Sequence, residues 1–197
     1  RDRELNLVKL EAATGRVVWI QKLGLVEQPS FNYSERRRDL PMSLPVVADG
    51  TIICQPDAEI FVAVDASQGE LKWIHAYGRD GPNGVLRQRS IQRFGGGFRG
   101  FPSPPIVHRR SVLCLPQHSE EILCIDLLTG DRIWKAARDE DYYIAAATDG
   151  IVATVGKHGM RGLSLQDGTI VWSARVGIPS GRGVRLENRY IVPLKSG

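Results

Sequence analysis

The chain has 197 residues, of which 42% are hydrophobic, so it can bury a sizeable core. Its net charge of +4 is modest. No run of about 18 apolar residues predicts a helix that spans a membrane. Glycine and proline are frequent, at 21 and 11 residues, and long helical periodicities are absent, which predicts an all-β fold of many short strands.

The first predicted element is a hairpin over residues 6–23, in which a turn ends at Gly15 and the next strand carries Trp19. Neither an initiator methionine nor a signal peptide precedes it, so we expect the chain to be a segment of a longer protein. Glycine supplies the positive φ that such a turn needs. The tryptophan offers a large flat surface for burial.

The same turn recurs three more times along the chain, and each copy places a tryptophan four residues after the glycine. These pairs are Gly69 and Trp73, Gly130 and Trp134, and Gly168 and Trp172. Asp65, Asp126 and Thr129 precede the glycines and can hydrogen-bond the loose amides of the turns. Because all four tryptophans share one position, the pattern indicates a repeat protein whose units cover each other's apolar faces.

A second hairpin precedes each of the last three tryptophan hairpins, so each unit has four strands, A to D, with the tryptophan on D. This is the pattern of a β-propeller blade. The predicted units are a half-blade of C and D at 1–24, blades at about 44–78, 103–138 and 143–177, and a half-blade of A and B at 182–197. Open half-blades expose unpaired strand edges, so we expect the segment to dimerise through them.

The turn and tryptophan motif resembles the PQQ-like (pyrroloquinoline-quinone-type) β-propeller repeat, written A-x-D-x-x-T-G-x-x-x-W. The copy at Asp126, Thr129, Gly130 and Trp134 matches it most fully. The first two copies depart from it at Glu11 and Gln68, and the fourth has Ser164 for the aspartate and Asp167 for the threonine. The resemblance implies a PQQ-like propeller segment, with its blades packed by the four tryptophans.

The family contains quinone-dependent dehydrogenases as well as propellers that bind no quinone, so two functions follow from the resemblance. The favoured one is a non-catalytic scaffold for macromolecular interaction, as in the family's outer-membrane assembly propeller, with a protein as its partner. The alternative is a fragment of a PQQ-dependent quinoprotein dehydrogenase whose redox residues lie elsewhere. A location in the cell envelope, periplasmic or secreted, is implied by the resemblance alone.

Two D–A connections, at 25–43 and 79–102, are longer than ordinary hairpin loops, and they share one face of the propeller with the B–C turn at His118. The second carries the candidate partner-binding residues Arg87, Arg89, Arg93, Phe98 and Arg99. Guanidinium groups and glycine amides can bind an anionic polymer or an acidic protein. Nucleic acid is disfavoured, and a solvated insertion whose phenylalanines fold back onto the blades is the simplest alternative.

The sequence predicts no catalytic, cofactor-binding or metal-binding residues. Cys54 and Cys114 occupy equivalent strand positions and are expected to be buried, whereas a disulfide between Cys114 and Cys124 is a disfavoured alternative. The histidines have no ligand spacing, and no two cysteines are adjacent, unlike in the family's quinone sites. The acidic run at 139–141 is expected to be a solvated surface segment.

Overall fold

The computed structural model describes residues 3–26, 44–57, 60–77, 103–116, 119–187 and 189–195. All regular structure in these ranges is β-strand, and nothing in them forms a helix that could cross a membrane. The strands are β1 (Arg3–Leu10), β2 (Val17–Val26), β3 (Val46–Ala48), β4 (Thr51–Asp57), β5 (Ile60–Asp65), β6 (Leu71–Ala76), β7 (Ile106–His108), β8 (Ser111–Cys114), β9 (Glu121–Asp126), β10 (Arg132–Ala137), β11 (Asp141–Ala147), β12 (Ile151–Gly156), β13 (Gly159–Ser164), β14 (Ile170–Arg175), β15 (Val184–Leu186) and β16 (Arg189–Ile191).

The strands form three four-stranded antiparallel sheets and two two-stranded ones. We name them blade 1 (β3–β6), blade 2 (β7–β10), blade 3 (β11–β14), the N-terminal half-blade (β1–β2) and the C-terminal half-blade (β15–β16). Within each blade the strands pair in chain order. The prediction of an all-β propeller segment with three whole and two half blades is therefore confirmed.

Two structural details extend the predicted elements. Strand β2 continues to Val26, into the predicted loop 25–43, because β1 pairs with it as far as Arg3. Strand β11 begins at Asp141, ahead of the blade start predicted at 143, because Asp141 pairs with Gly156. The rest of the loop at 25–43 lies outside the described residues.

The turns of each blade lie at two opposite ends of the strands. At one end, which we call the turn face, each C–D turn donates to an A–B turn. The amides of Ala66, Leu127 and Leu165 donate to the carbonyls of Gly50, Arg110 and Gly150, each at 2.8 Å. At the other end, the loop face, B–C turns meet D–A connections, as where the amide of Arg138 donates to the carbonyl of Glu120 at 2.8 Å.

The hydrophobic core lies between successive blades. One buried cluster joins Ile53, Phe61 and Trp73 of blade 1 to the inward residues of blade 2, and a second joins Trp134 of blade 2 to Leu163 and its neighbours in blade 3. Since a sheet cannot cover both of its own faces, each blade is stabilised chiefly by the blade beside it.

All three cysteines are buried and free. Cys114 belongs to the cluster between blades 1 and 2, whereas Cys124 belongs to the cluster between blades 2 and 3, so the two thiols occupy different layers. The disfavoured disulfide is therefore not formed. Burial raises the pKa of Cys54 and of Cys124 to about 11 and that of Cys114 well above its ordinary value, which keeps the thiols protonated and unreactive.

Candidate functional site

The contact between a tryptophan and the next blade's turn recurs along the chain. The indole Nε1 of Trp73 donates to the carbonyl of Leu127 at 2.9 Å, and that of Trp134 donates to the carbonyl of Leu165 at 2.8 Å. Each ring lies directly on the turn glycine. A Cβ built on Gly130 would stand 2.7 Å from Cδ2 of Trp73, and the glycine already has a φ of +77°. Only glycine therefore fits beneath the ring.

The interface of the N-terminal half-blade differs in one hydrogen bond. Trp19 lies on Gly69 as closely as the other rings lie on theirs, with Cδ2 at 2.7 Å from a built Cβ. However, the carbonyl of Ala66, which corresponds to Leu127 and Leu165, accepts from Nζ of Lys9 at 2.9 Å. The buried Nε1 of Trp19 has no hydrogen-bond partner within the described residues. A lysine thus replaces the indole as donor.

Trp172 corrects the expectation that all four tryptophans pack between blades. Its side chain is 38% exposed, whereas Trp73 and Trp134 are each 7% exposed. The reason is positional, because Trp172 lies on the last strand of blade 3 and no C–D turn of a following blade covers it in the part of the chain described here.

The acidic residues of the repeat organise their own turns. Oδ1 of Asp126 accepts hydrogen bonds from the amides of Leu128 and Thr129 at 2.9 and 3.0 Å, while Oδ2 meets Nε of Arg110 at 2.6 Å. Asp65 accepts the amide of Ser67 in the same way, at 2.9 Å. These contacts explain why the motif has an aspartate at this position, because its carboxylate accepts the hydrogen bonds of the turn amides.

The charges of these turn carboxylates are stabilised by the same contacts. Partial burial by itself raises the pKa of Asp126, but the amides of Thr129 and Leu128 and the guanidinium of Arg110 outweigh it, and the pKa is lowered. The hydroxyl of Ser67, with the amides of Gln68 and Ser67, holds the pKa of Asp65 well below its ordinary value. Both groups therefore remain ionised at neutral pH.

The acidic run at 139–141 also differs from the sequence prediction, which expected a solvated surface segment. Asp141 is 5% exposed, because Arg161 on β13 reaches across the loop face to its carboxylate, with Nε and Nη2 at 2.8 and 2.7 Å from Oδ2. Arg161 also pairs with Asp139. Burial raises the pKa of Asp141, and the guanidinium of Arg161 opposes that shift. The run is thus a clamp, with only Asp139 and Glu140 exposed.

A buried arginine completes this clamp. Arg138 is 2% exposed, and its Nε and Nη1 donate to the carbonyls of Asp141 and Pro116 at 2.9 and 2.8 Å. Its own carbonyl accepts from Nη2 of Arg161 at 2.8 Å. The connection between blades 2 and 3 is therefore fixed on the loop face. No sequence signal marks this network, because residue 161 is remote from 138–141 in the chain.

The next D–A connection, at 176–183, is fixed by a tyrosine. The buried hydroxyl of Tyr143 donates to the carbonyl of Gly181 at 3.2 Å and accepts the amide of Gly183 at 3.0 Å. The guanidinium carbon of Arg182 lies 5.2 Å from the centre of the Tyr143 ring. The loop face of blade 3 thus carries two ordered connections.

A groove of about 380 Å³ opens between blades 2 and 3, lined by the apolar side chains of Leu163 and Ile170 and by Lys135 and Arg161. Both cations are already engaged, since Lys135 pairs with Glu121 at 2.6 Å and Arg161 pairs with Asp141. The groove is therefore a charge-neutral surface feature.

The predicted partner-binding residues Arg87, Arg89, Arg93, Phe98 and Arg99, like the long loop 79–102 and His118, lie outside the described residues. The remaining histidines are dispersed. His108 pairs with Asp149 across blades 2 and 3 at 2.8 Å on the turn face, and Nδ1 of His75 lies 2.8 Å from the carbonyl of Gly130.

Two of the tryptophans and all three cysteines are engaged in blade packing. Trp73 and Trp134 lie between blades with their indole N–H groups bound, and the three cysteines are non-adjacent and buried. Among the residues that the structure describes, no group of three or more His, Cys, Asp or Glu side chains could hold a metal ion. These side chains do not form a quinone pocket.

The comparison with known families decides the identity of the repeat. The family described as "outer membrane protein assembly factor BamB" matches residues 1–100 and 97–174. The chain belongs to this family. No curated protein sequence matches the chain significantly.

Solved structures share the BamB-type fold. BamB from Moraxella catarrhalis is similar over 91% of this chain at 16% identity and a TM-score of 0.60, and the chain covers 47% of it. The quinohemoprotein alcohol dehydrogenase ADHIIG from Pseudomonas putida HK5 matches 72% of this chain and 22% of its own, at 19% identity and a TM-score of 0.50. The computationally designed Ika8 protein matches 78% of this chain and 43% of its own, at 9% identity and a TM-score of 0.55. The chain thus spans about half of the BamB structure.

The contact between indole and glycine can be tested with a matched pair of substitutions. Gly130→Ala and Gly50→Ala both place a Cβ at a φ of about +70°, but of these two glycines only Gly130 lies against an indole ring. We expect Gly130→Ala to lower the free energy of unfolding by about 1–3 kcal/mol more than Gly50→Ala, because the added methyl group overpacks against Trp73. Denaturant unfolding measures both. Equal losses would mean that the ring does not press on the turn.

The ionised turn carboxylate predicts a pH dependence. Because the pKa of Asp126 is lowered on folding, its stabilisation is present above the unfolded pKa of about 3.9 and is lost as the pH falls below that value. Asp126→Asn should therefore cost about 1 kcal/mol at pH 7 and progressively less in acid. Asp131→Asn, an exposed change in the same turn, is the control. A deficit that stays constant between pH 7 and pH 3 would contradict this assignment.

Proposed function

We propose that this chain is part of a non-catalytic β-propeller scaffold of the cell envelope that binds a protein partner through its loop face. The observation that carries the proposal is the family match, which covers residues 1–174 in two overlapping parts. That family is described as an assembly factor for outer membrane proteins. A factor of that kind acts by contact with other proteins, which supports both the partner and the compartment.

The loop face offers a fixed platform for such contact. The arginine clamp of Arg138 and Arg161 orders the connection after blade 2, and Tyr143 orders the connection after blade 3. Exposed charges remain on this platform, with Glu140 between Lys157 at 3.3 Å and His158 at 3.7 Å. Rigid, polar surfaces lose little conformational entropy on binding, which favours a recognition role.

The charge of the chain favours an acidic partner. The connection 79–102 carries five arginines and one aspartate, a surplus equal to the net charge of +4 of the whole chain. Arginine forks bind carboxylates in bidentate geometry, and a cationic surface accelerates encounter with an acidic one. We therefore propose that Arg87, Arg89 and Arg93, with Phe98 and Arg99, contribute to the contact, and an anionic polymer would be bound by the same chemistry.

A fragment of a quinoprotein dehydrogenase is the alternative, and it rests on likeness of fold alone. The test is calorimetric titration of the chain with pyrroloquinoline quinone in the presence and absence of calcium. We expect no saturable heat at micromolar concentrations, because Trp73, Trp134 and the three cysteines are engaged in blade packing. Saturable, calcium-dependent binding would overturn the scaffold proposal in favour of the dehydrogenase.

The loop-face contact is tested by two charge-matched triple variants. Arg87→Ser, Arg89→Ser and Arg93→Ser remove charge from the 79–102 loop, while Arg16→Ser, Arg109→Ser and Arg132→Ser remove the same charge from exposed positions on the turn face. The probe is a labelled poly-glutamate peptide, with binding measured by fluorescence anisotropy. We expect the loop variant to bind about tenfold more weakly and the turn-face variant to bind almost normally.

Salt provides the internal check on this experiment. Exposed charges are screened over about 8 Å at physiological ionic strength, so the difference between the two variants should shrink as salt is added. An equal loss of affinity in both triple variants would mean that the peptide responds only to net charge, and the loop would lose its assigned role.

A further inference from the structure

Two neighbouring blade interfaces differ at one position of strand D. His75 on β6 and Ala136 on β10 are equivalent, since each lies six residues after the turn glycine of its blade. Nδ1 of His75 lies 2.8 Å from the carbonyl oxygen of Gly130 in the next blade. A carbonyl oxygen only accepts, so this nitrogen carries the proton and donates it. An imidazole ring thus bridges blades 1 and 2.

No such bridge joins blades 2 and 3. Ala136 has no polar group, and the carbonyl of Gly168, which corresponds to that of Gly130, accepts no hydrogen bond within the described residues. The indole contact, by comparison, is the same at both interfaces, because Trp73 and Trp134 each donate to a carbonyl of the next turn. The missing imidazole therefore leaves one acceptor open between blades 2 and 3.

The groove between blades 2 and 3 lies where this ring is missing. Ala136, Leu163 and Gly168 line it together with Ile170. Its volume of about 380 Å³ is near the lower end of the range of roughly 300–1,000 Å³ that ligand pockets span. The groove therefore suits one side chain with its neighbours better than a large cofactor.

The groove opens on the outer side of the blades. Strands β10 and β14, which carry part of its lining, are edge strands of their sheets. At the opposite edges, β7 contacts both β3 and β11. The blades thus converge at their A strands and diverge at their D strands, as in a propeller. A side chain of another molecule can enter the groove without displacing a strand.

The open polar groups of the groove are acceptors. The carbonyl of Gly168 is joined there by the exposed carboxylate of Asp167. The amide and hydroxyl of Thr169 lower the pKa of Asp167, so the carboxylate is ionised at neutral pH. The two cations that line the groove are already engaged in ion pairs. A complementary ligand therefore brings an N–H donor on a ring that can pack against apolar side chains.

We propose that this groove binds a histidine side chain of a partner protein, with the imidazole in the position that His75 occupies between blades 1 and 2. Its N–H donates to the carbonyl of Gly168, and its ring packs against Leu163. The groove extends beyond one ring, from Asp139 to Asp167, so it also accommodates residues that flank the histidine. This length favours a protein segment over a free small molecule.

The site adds a second contact to the loop-face contact proposed above. It is built from blades 2 and 3, and none of the residues that line it belongs to the connection 79–102. Failure of the poly-glutamate experiment would remove the role of that connection and leave the groove unaffected. Failure of the experiment below would remove the groove and leave the loop-face contact unaffected.

The test is an NMR titration of the full isotope-labelled chain with a capped tripeptide of glycine, histidine and glycine. We expect saturable shifts of the amide signals of Ala136, Gly168 and Thr169. A tripeptide with phenylalanine in the centre has a ring without a donor and should bind about fivefold more weakly. Equal affinity of the two peptides would overturn the proposal. Free imidazole that binds as tightly as the histidine peptide would contradict the assignment to a protein partner.

Filling the groove from within provides a matched pair of variants. Ala136→His places an imidazole at the position equivalent to His75, and we expect it to weaken peptide binding more than about tenfold. Ala174→His adds the same side chain at the equivalent position of β14, outside the groove, and should leave binding unchanged. Thermal melts establish that both variants fold. A folded Ala136→His variant that binds the peptide as tightly as the unsubstituted chain would refute the site.

Opening the neighbouring interface gives the converse experiment. In a chain that carries both Ala136→His and His75→Ala, the peptide should shift the amide signal of Gly130 instead of that of Gly168, because the ring is now missing between blades 1 and 2. Peptide-induced shifts at neither glycine in this folded variant would contradict the proposal. If removal of His75 unfolds the chain, the comparison of Ala136→His with Ala174→His decides alone.

Discussion

The contact between an indole ring and the turn glycine of the next blade is the interaction on which the rest of this structure depends. It joins two sheets at their turn face through a hydrogen bond and close packing, as between Trp73 and Leu127 with Gly130. Because a four-stranded sheet cannot cover its own faces, each blade needs its neighbours to bury its core. The tryptophan and glycine of the repeat motif thus join successive blades. Its aspartate and threonine accept hydrogen bonds from amides of the turn that contacts the ring.

This constraint also directs where function can lie. Trp73 and Trp134, the cysteines and the turn carboxylates are engaged in packing and turn geometry. One surface that we propose for recognition is the loop face, whose connections are fixed by Arg138, Arg161 and Tyr143.

The sequence by itself determined the fold class, the number of blades in this chain and the position, from A to D, of each strand in its blade. The alternation of apolar and polar residues in a strand and the residue types of a turn are local properties of the sequence. The spacing from Gly130 to Trp134 recurs in all four copies, so it shows where each unit lies in the chain. The burial of Cys54 and Cys114 followed from the same alignment, because the two residues fall at equivalent strand positions. The predicted partner loop rested on composition, and it remains a prediction.

Only the tertiary structure decided which ion pairs, hydrogen bonds and packing contacts a residue receives from other strands and blades. Asp141 reads as a solvated acid in sequence, yet Arg161 pairs with it from a different strand and allows its burial. Trp19 and Trp172 carry the same motif as Trp134, yet Lys9 takes the hydrogen bond of one and no turn covers the other within the described residues. A motif specifies what a residue can contact, whereas burial and pairing depend on groups distant in the chain, which local pattern does not encode.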